Sequence, residues 1–205
     1  MSQYVKRNVT LLFLIAVIIL LAVIFRIKTT GMYYSLENCP FTFYGIFGEE
    51  YFRDENEIIE EISDSECIVK VKGSGELKYN GYVSIAGAVI EKVYKGNLSE
   101  NDIIYVATEN GVYNGKNWGM SNLINADYEY LLILNDVGFP NDIYLNDFYY
   151  GAIPLFETED PVYIEVDRQY TYAELVGLDF FATDELNYKR LKAVKKDICE
   201  LCMGE

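Results

Sequence analysis

Four cysteines and thirty-two carboxylates are the side chains best equipped for chemistry, and histidine is absent. That absence removes the commonest general base, the Ser-His and Cys-His nucleophile pairs, and imidazole metal ligands. Catalysis here would have to run on carboxylates, Lys, Tyr or Cys. Cys199 and Cys202 form a C-x-x-C near the carboxyl terminus. A thioredoxin-type pair opens a helix, where the dipole lowers a thiol pKa; this pair stands at the end of one, where the dipole acts oppositely. A zinc site would need two more ligands, from Cys39, Cys67 or acids. Structural thiols are the expectation. Cys39 and Cys67 pair if the domain faces an oxidising compartment; a buried thiol at Cys67 is an equal reading.

Asp142, Asp147, Glu157 and Asp160, with Asn141 and Asn146, are oxygen donors in late loops. Calcium favours such loops, but none matches an EF-hand, and solvated acids are the expectation. A carboxylate pair for glycoside hydrolysis can be chosen from so many acids in too many ways to single one out. Gly73-Ser-Gly75 lacks the following Lys-Ser/Thr of a phosphate loop and reads as a turn. Asn97-Leu-Ser99 fits the glycosylation tripeptide, a pattern common by chance. Asn110-Gly111 and Asn114-Gly115 supply tight-turn chemistry around Val112-Tyr113. Tyr113 and Trp118 are therefore nominated as a ligand surface on an aromatic hairpin, with barrel packing as the competing role. The sequence nominates no catalytic residue, no cofactor and no metal set.

These groups must be positioned by strands. Cys67, Val69 and Val71 alternate with Ile68, Lys70 and Lys72, a period of two. Gly81–Tyr94 reads as a long strand, with Gly87 marking a bulge or bend. Ile103, Tyr105 and Ala107 open onto one face of a third, and Tyr128–Leu134 is a continuous apolar strand of the buried type. Shorter strands are expected at 143–145, 151–156 and 162–166, with Pro154 and Pro161 confining the last two to edges. Ile58, Ile59 and Ile62 suit a short amphipathic helix behind Asp54. A closing helix follows Asp184, with Leu186, Leu191, Val194, Ile198 and Leu201 at helical spacing.

One segment has no polar face. Residues 8–25 run eighteen positions without a charge, about 27 Å of helix against a hydrocarbon layer of ~30 Å. The run exceeds a signal-peptide core, and no small-x-small cleavage site follows it. It is expected to anchor the chain in the bilayer. Residues 1–30 carry four bases and no acid, leaving 13 bases against 32 acids beyond them, a net of −19. That field repels phosphate backbones, so nucleic acid is not an expected partner. The basic flank and the anchor leading straight into a domain favour an inside amino terminus and an extracytoplasmic domain.

Within residues 81–135 the strand and turn Val89-Ile-Glu-Lys-Val-Tyr-Lys-Gly-Asn-Leu98, then Asn101-Asp-Ile-Ile-Tyr-Val106, then Tyr130-Leu-Leu-Ile-Leu134 resemble two groups. One is the tissue-inhibitor and netrin-type OB-fold group; the other is a set of uncharacterised membrane-anchored proteins of low-GC Gram-positive bacteria. The resemblance covers about a quarter of the chain and implies an OB-type barrel. The eukaryotic inhibitors use an N-terminal cysteine and a disulfide framework that this chain does not match, so protease inhibition is not implied.

The expected architecture is mainly β (β+α): an N-terminal transmembrane helix, then a small OB-like β-barrel with a C-terminal helix. The expected divisions are an anchor at 1–30, a juxtamembrane connector with a short helix at 31–64, the barrel at 65–166 and a helical extension at 167–205. The expected role is a membrane-tethered extracytoplasmic binding or scaffolding module, with an envelope protein or glycan as partner class. The alternative is a histidine-free, carboxylate-based enzyme acting on envelope glycans.

Overall fold

The computed structural model describes residues 3–29, 32–33, 52–79, 83–109, 111–113, 116–118, 124–139, 143–146, 148–158, 161, 163, 165, 177–180, 182 and 184–204. In chain order the elements are α1 (Gln3–Thr29), β1 (Met32–Tyr33), α2 (Glu55–Asp64), β2 (Cys67–Tyr79), β3 (Val83–Lys95) and β4 (Ile103–Glu109). Then come β5 (Gly111–Tyr113), β6 (Lys116–Trp118), β7 (Glu129–Phe139), β8 (Ile143–Leu145), β9 (Ile153–Pro154) and α3 (Glu185–Met203).

Five strands close on themselves. The hydrogen-bonded circuit runs β2-β3-β4-β8-β7, and β7 returns to β2. All neighbours are antiparallel except β4 and β8. Counting barrel strands alone, that is 1-2-3-5-4 and back to 1, the circuit of an OB barrel.

Alternation explains the interior. Cys67, Val69 and Val71 face inward with Ala86, Ala88 and Ile90 of β3, Ile104 and Val106 of β4, and Tyr130, Leu132 and Leu134 of β7. These side chains fill the barrel, as five tightly tilted strands require. Part of the outer face is apolar too: Ile68 of β2 and Leu131 and Ile133 of β7 cluster with Ile62 of α2 and Tyr188, Leu191 and Ile198 of α3. Burial on both faces is why 130–134 is an unbroken apolar run; Glu129, just before it, is charged and reaches Lys70.

Three expectations are corrected by the packing. The irregularity expected at Gly87 belongs to β2, whose register jumps between Gly73 and Leu77 while β3 and β4 stay in step through Gly87–Tyr105. Gly87 is required because the bulge folds over it: a Cβ there would lie 2.4 Å from Ser74 Oγ. On α3, Leu186 and Leu201 point to solvent, and Asn187, Tyr188 and Lys195 join Leu191 and Ile198 on the buried side. Of the late strands, 143–145 forms as expected. The strand expected at 151–156 contracts to Ile153–Pro154 beside β7; of the strand expected at 162–166, Tyr163 forms a bridge with Ala182, and 162, 164 and 166 lie outside the described residues.

Both domain helices carry caps. Asp54 accepts from Asn56 N at 2.8 Å, and Asp184 accepts from Asn187 N at 2.9 Å, each cap worth about 1 kcal/mol. Gly204 ends α3 in the left-handed conformation. α1 differs from both. Its Arg7–Phe25 stretch, 19 residues of mean hydropathy 3.0, is unburied, so it is long and apolar enough to cross a membrane.

Candidate functional site

The barrel's exterior divides into three zones. The first is the apolar zone covered by α2 and α3. The second is a charged strip, where Lys70 Nζ lies 2.7 Å from Glu129 and 3.1 Å from Glu91. The bond to Glu129 chiefly raises the Lys70 pKa above its ordinary value, against partial desolvation. Glu91 and Glu129 are thus two carboxylates brought together on one ammonium.

The third zone is the outer face of β3, β4 and β8. Register places Val89 beside Ile103, Gly87 beside Tyr105 and Ile85 beside Ala107; Ile143 continues from Tyr105 and Leu145 from Ala107. Every one of these positions is apolar or aromatic. The bulge of β2 closes over Gly87 and Ala107 is buried, but the face opens towards Ile103, which is 58% exposed. Ile103, Tyr105 and Ala107 thus share one face as their spacing indicated, and that face is the outer one. Strands two and three of an OB barrel, here β3 and β4, present the surface on which such barrels hold ligands.

The nominated aromatic hairpin forms directly beyond β4. β5 and β6 pair with Gly111 opposite Trp118 and Tyr113 opposite Lys116, and 114–115 lie outside the described residues. This register puts Tyr113 and Trp118 on the same face of the ribbon. Their side chains lie outside the described residues.

The cysteines are placed by packing. Cys67 is a buried thiol at the start of β2, with its sulfur against Gly96; Cys39 lies outside the described residues. Cys199 and Cys202 are half-buried thiols packed beside the cluster under α3. Burial, with Cys199 alongside, pushes the Cys202 thiol up to about 11, which suppresses the thiolate that redox or metal chemistry needs. Among the described residues no three His, Cys, Asp or Glu side chains gather as a metal set. Of the loop oxygen donors, Glu157 pairs with Lys192 at 2.9 Å, which with Lys195 nearby lowers its pKa. Asn146 is buried, its amide placed to donate to Ile133 O at 3.2 Å and accept from Ala152 N at 3.1 Å. That role corrects its reading as a loop oxygen donor. Asn141, Asp142, Asp147 and Asp160 lie outside the described residues.

One convergent polar cluster went unseen in the sequence. Asp179, 1% exposed, accepts from Thr158 Oγ1 at 2.8 Å, Phe180 N at 3.0 Å and Tyr188 Oη at 2.9 Å. Lys195 donates to Phe156 O at 2.7 Å nearby. Desolvation, then Asp179, pushes the Tyr188 phenol well above its ordinary pKa, and desolvation lowers that of Lys195. A Tyr-Asp-Lys constellation in an open cleft would suggest proton transfer. Here it is sealed between α3 and the barrel, and its bonds hold the helix on. The detectable signal was an acid inside the apolar run Leu178-Asp-Phe-Phe181.

No protein-family model matches the chain, and no curated protein matches it.

Proposed function

We propose that this protein is a single-pass, membrane-tethered, extracytoplasmic binding or scaffolding module. Its partner is an envelope protein or glycan held on the outer face of β3, β4 and β8, with the adjoining hairpin of Tyr113 and Trp118 extending the surface. The observation that carries this reading is the open apolar face ending at Ile103, on a barrel whose interior is already filled. A filled barrel works through its surface. Exposed apolar residues are ordinary singly, but a face that is apolar or aromatic at nine of its ten registered positions, Glu109 opposite Val83 being the exception, is a contact surface by composition.

Tethering is supported by α1, an apolar helix long enough to cross a membrane and left unburied by the domain. The amino terminus, Lys6 and Arg7 stand before the span against Arg26 and Lys28 after it, a slight lean towards an inside amino terminus, to which the anchor leading straight into the domain adds. The OB-type resemblance agrees with surface binding, and protein contacts of this kind rest on a few aromatic and aliphatic anchors.

The test is Ile103→Asp beside Trp118→Ala, each in the full chain expressed in membranes. Loss of a cross-linked envelope partner, with the thermal melt within a few degrees of wild type, is the expected result. Unchanged cross-linking by both variants would remove the surface from consideration. Turnover of an envelope glycan, abolished by one acid-to-amide change, would replace the binding reading with the enzymatic one.

A further inference from the structure

We propose that the groove between α2 and the last turns of α3 docks a cationic amphipathic helix contributed by a partner protein. The groove encloses about 400 Å³, within the size range of sites that hold anchoring groups. Ile58 and Ile59 form one wall; Val194, Ile198 and Leu201 form the other. Two of these aliphatic side chains are well exposed, Leu201 at 50% and Ile59 at 39%.

The walls fix the shape of the occupant. A trough lined by α2 on one side and α3 on the other takes an amphipathic helix that brings aliphatic side chains at i, i+3, i+4 and i+7. The rim fixes its charge. Glu55, Asp197 and Glu200 line the groove with Arg53 as the only cation among the lining residues. Arg53 is already committed: it bonds Glu61 at 2.8 Å and stacks over Tyr149 at 4.1 Å. The lysines of α3 are turned to other work, Lys192 on Glu157, Lys195 on Phe156 O and Lys189 on Glu185. Lys196 reaches Glu200 only at 3.5 Å, in solvent. Glu57 and Glu60, exposed on α2, extend the negative field. An apolar floor inside an acidic rim selects a segment that is aliphatic on one face and rich in Lys or Arg along its edges. Anionic lipid and nucleic acid have the wrong sign. A second copy brings a domain of net −19 beyond residue 30, which opposes self-docking.

The probe is a fluorescein-labelled helical peptide with Leu at i, i+3, i+4 and i+7 and Lys at the flanking positions, titrated by anisotropy against the full chain in nanodiscs of neutral lipid. Its twin carries Glu in place of Lys. The cationic peptide should bind saturably and weaken with salt, and the acidic twin should not bind. Asp197→Lys and Leu201→Asp should each weaken the cationic peptide at least tenfold, while Ile103→Asp should leave it unchanged, which separates this groove from the barrel face. If Leu201→Asp does not fold, the charge swap still decides, because Asp197→Lys should gain affinity for the acidic twin. Equal binding of both peptides, no saturable binding to wild type, insensitivity to Asp197→Lys, or competition by a second copy of the chain overturns the proposal.

Discussion

Replacing Asp179 with Ala removes the acceptor shared by three donors, those of Phe180 and Tyr188 buried and that of Thr158 half-buried. Thr158 Oγ1, Phe180 N and Tyr188 Oη would lose bonds of 2.8, 3.0 and 2.9 Å, and Lys195, 9% exposed, would lose the favourable charge of Asp179 while keeping its bond to Phe156 O. A hydrogen bond to a charged group is worth about 1.5–3 kcal/mol, and bonds converging on one carboxylate do not add. Removing one partner from a buried charged network costs about 3–5 kcal/mol. For a domain of this size each kcal/mol moves Tm by about 2–4 °C, so a fall of roughly 6–20 °C is expected. Tyr188→Phe removes a single donor and should cost about 1–3 kcal/mol. The double variant should lose less than the two singles summed. Circular dichroism melts of the full chain in detergent provide the comparison. An Asp179→Ala melt within 2 °C of wild type would refute the view that this cluster fastens α3 to the barrel. It would return Asp179 and Tyr188 to the list of residues that could act on a substrate.

Gly73→Ala should prevent or severely impair folding, since its Cβ would fall 1.9 Å from the Asn125 carbonyl oxygen; expression and the near-ultraviolet spectrum report this. Burial holds the Tyr130 phenol at about 12 against an ordinary 10, so the folded state keeps a proton that the unfolded state loses. The stability so conferred is full below pH 10 and is lost as pH rises towards 12, by about 3 kcal/mol at most. Tyr130→Phe should abolish that component, read as the difference between the two pH-dependent denaturation curves. Cys199→Ser with Cys202→Ser should lower stability by no more than about 1–2 kcal/mol, because both thiols sit half-buried at a helix end. Unfolding of the double variant with loss of bound zinc would make the pair structural metal ligands.

Much of the barrel was legible because its strands are local patterns. Val69 and Val71, or Ile104 and Val106, alternate along a few residues, and the burial that causes the alternation leaves its mark there. The apolar run ending at Leu134 was equally clear, since a strand covered on both faces cannot carry polar residues. Gly87 was legible as unusual but not as to cause, because the atoms that exclude its Cβ belong to Ser74 on another strand. The same limit hid the Asp179 cluster and the groove. Thr158, Asp179 and Tyr188 are separated by 21 and 9 residues, and Ile59 and Leu201 come to line one groove only in the folded chain. Helical spacing alone made Leu186 and Leu201 resemble core positions. Which stripe of α3 turns inward is set by the bonds of Tyr188 and Lys195, two residues whose polar ends disguise their burial.

Site-specific photo-cross-linking at position 103 in intact cells tests the central claim most directly. A photoreactive phenylalanine analogue in place of Ile103 should yield a discrete adduct with an envelope protein or glycan. The same analogue at exposed Asp64, at the end of α2, should not, and protease added outside the cell should strip the adduct from the membrane. Equal labelling at the two positions, or an adduct at 103 that stays protected from external protease, would contradict the account of an outward-facing barrel that binds through β3, β4 and β8.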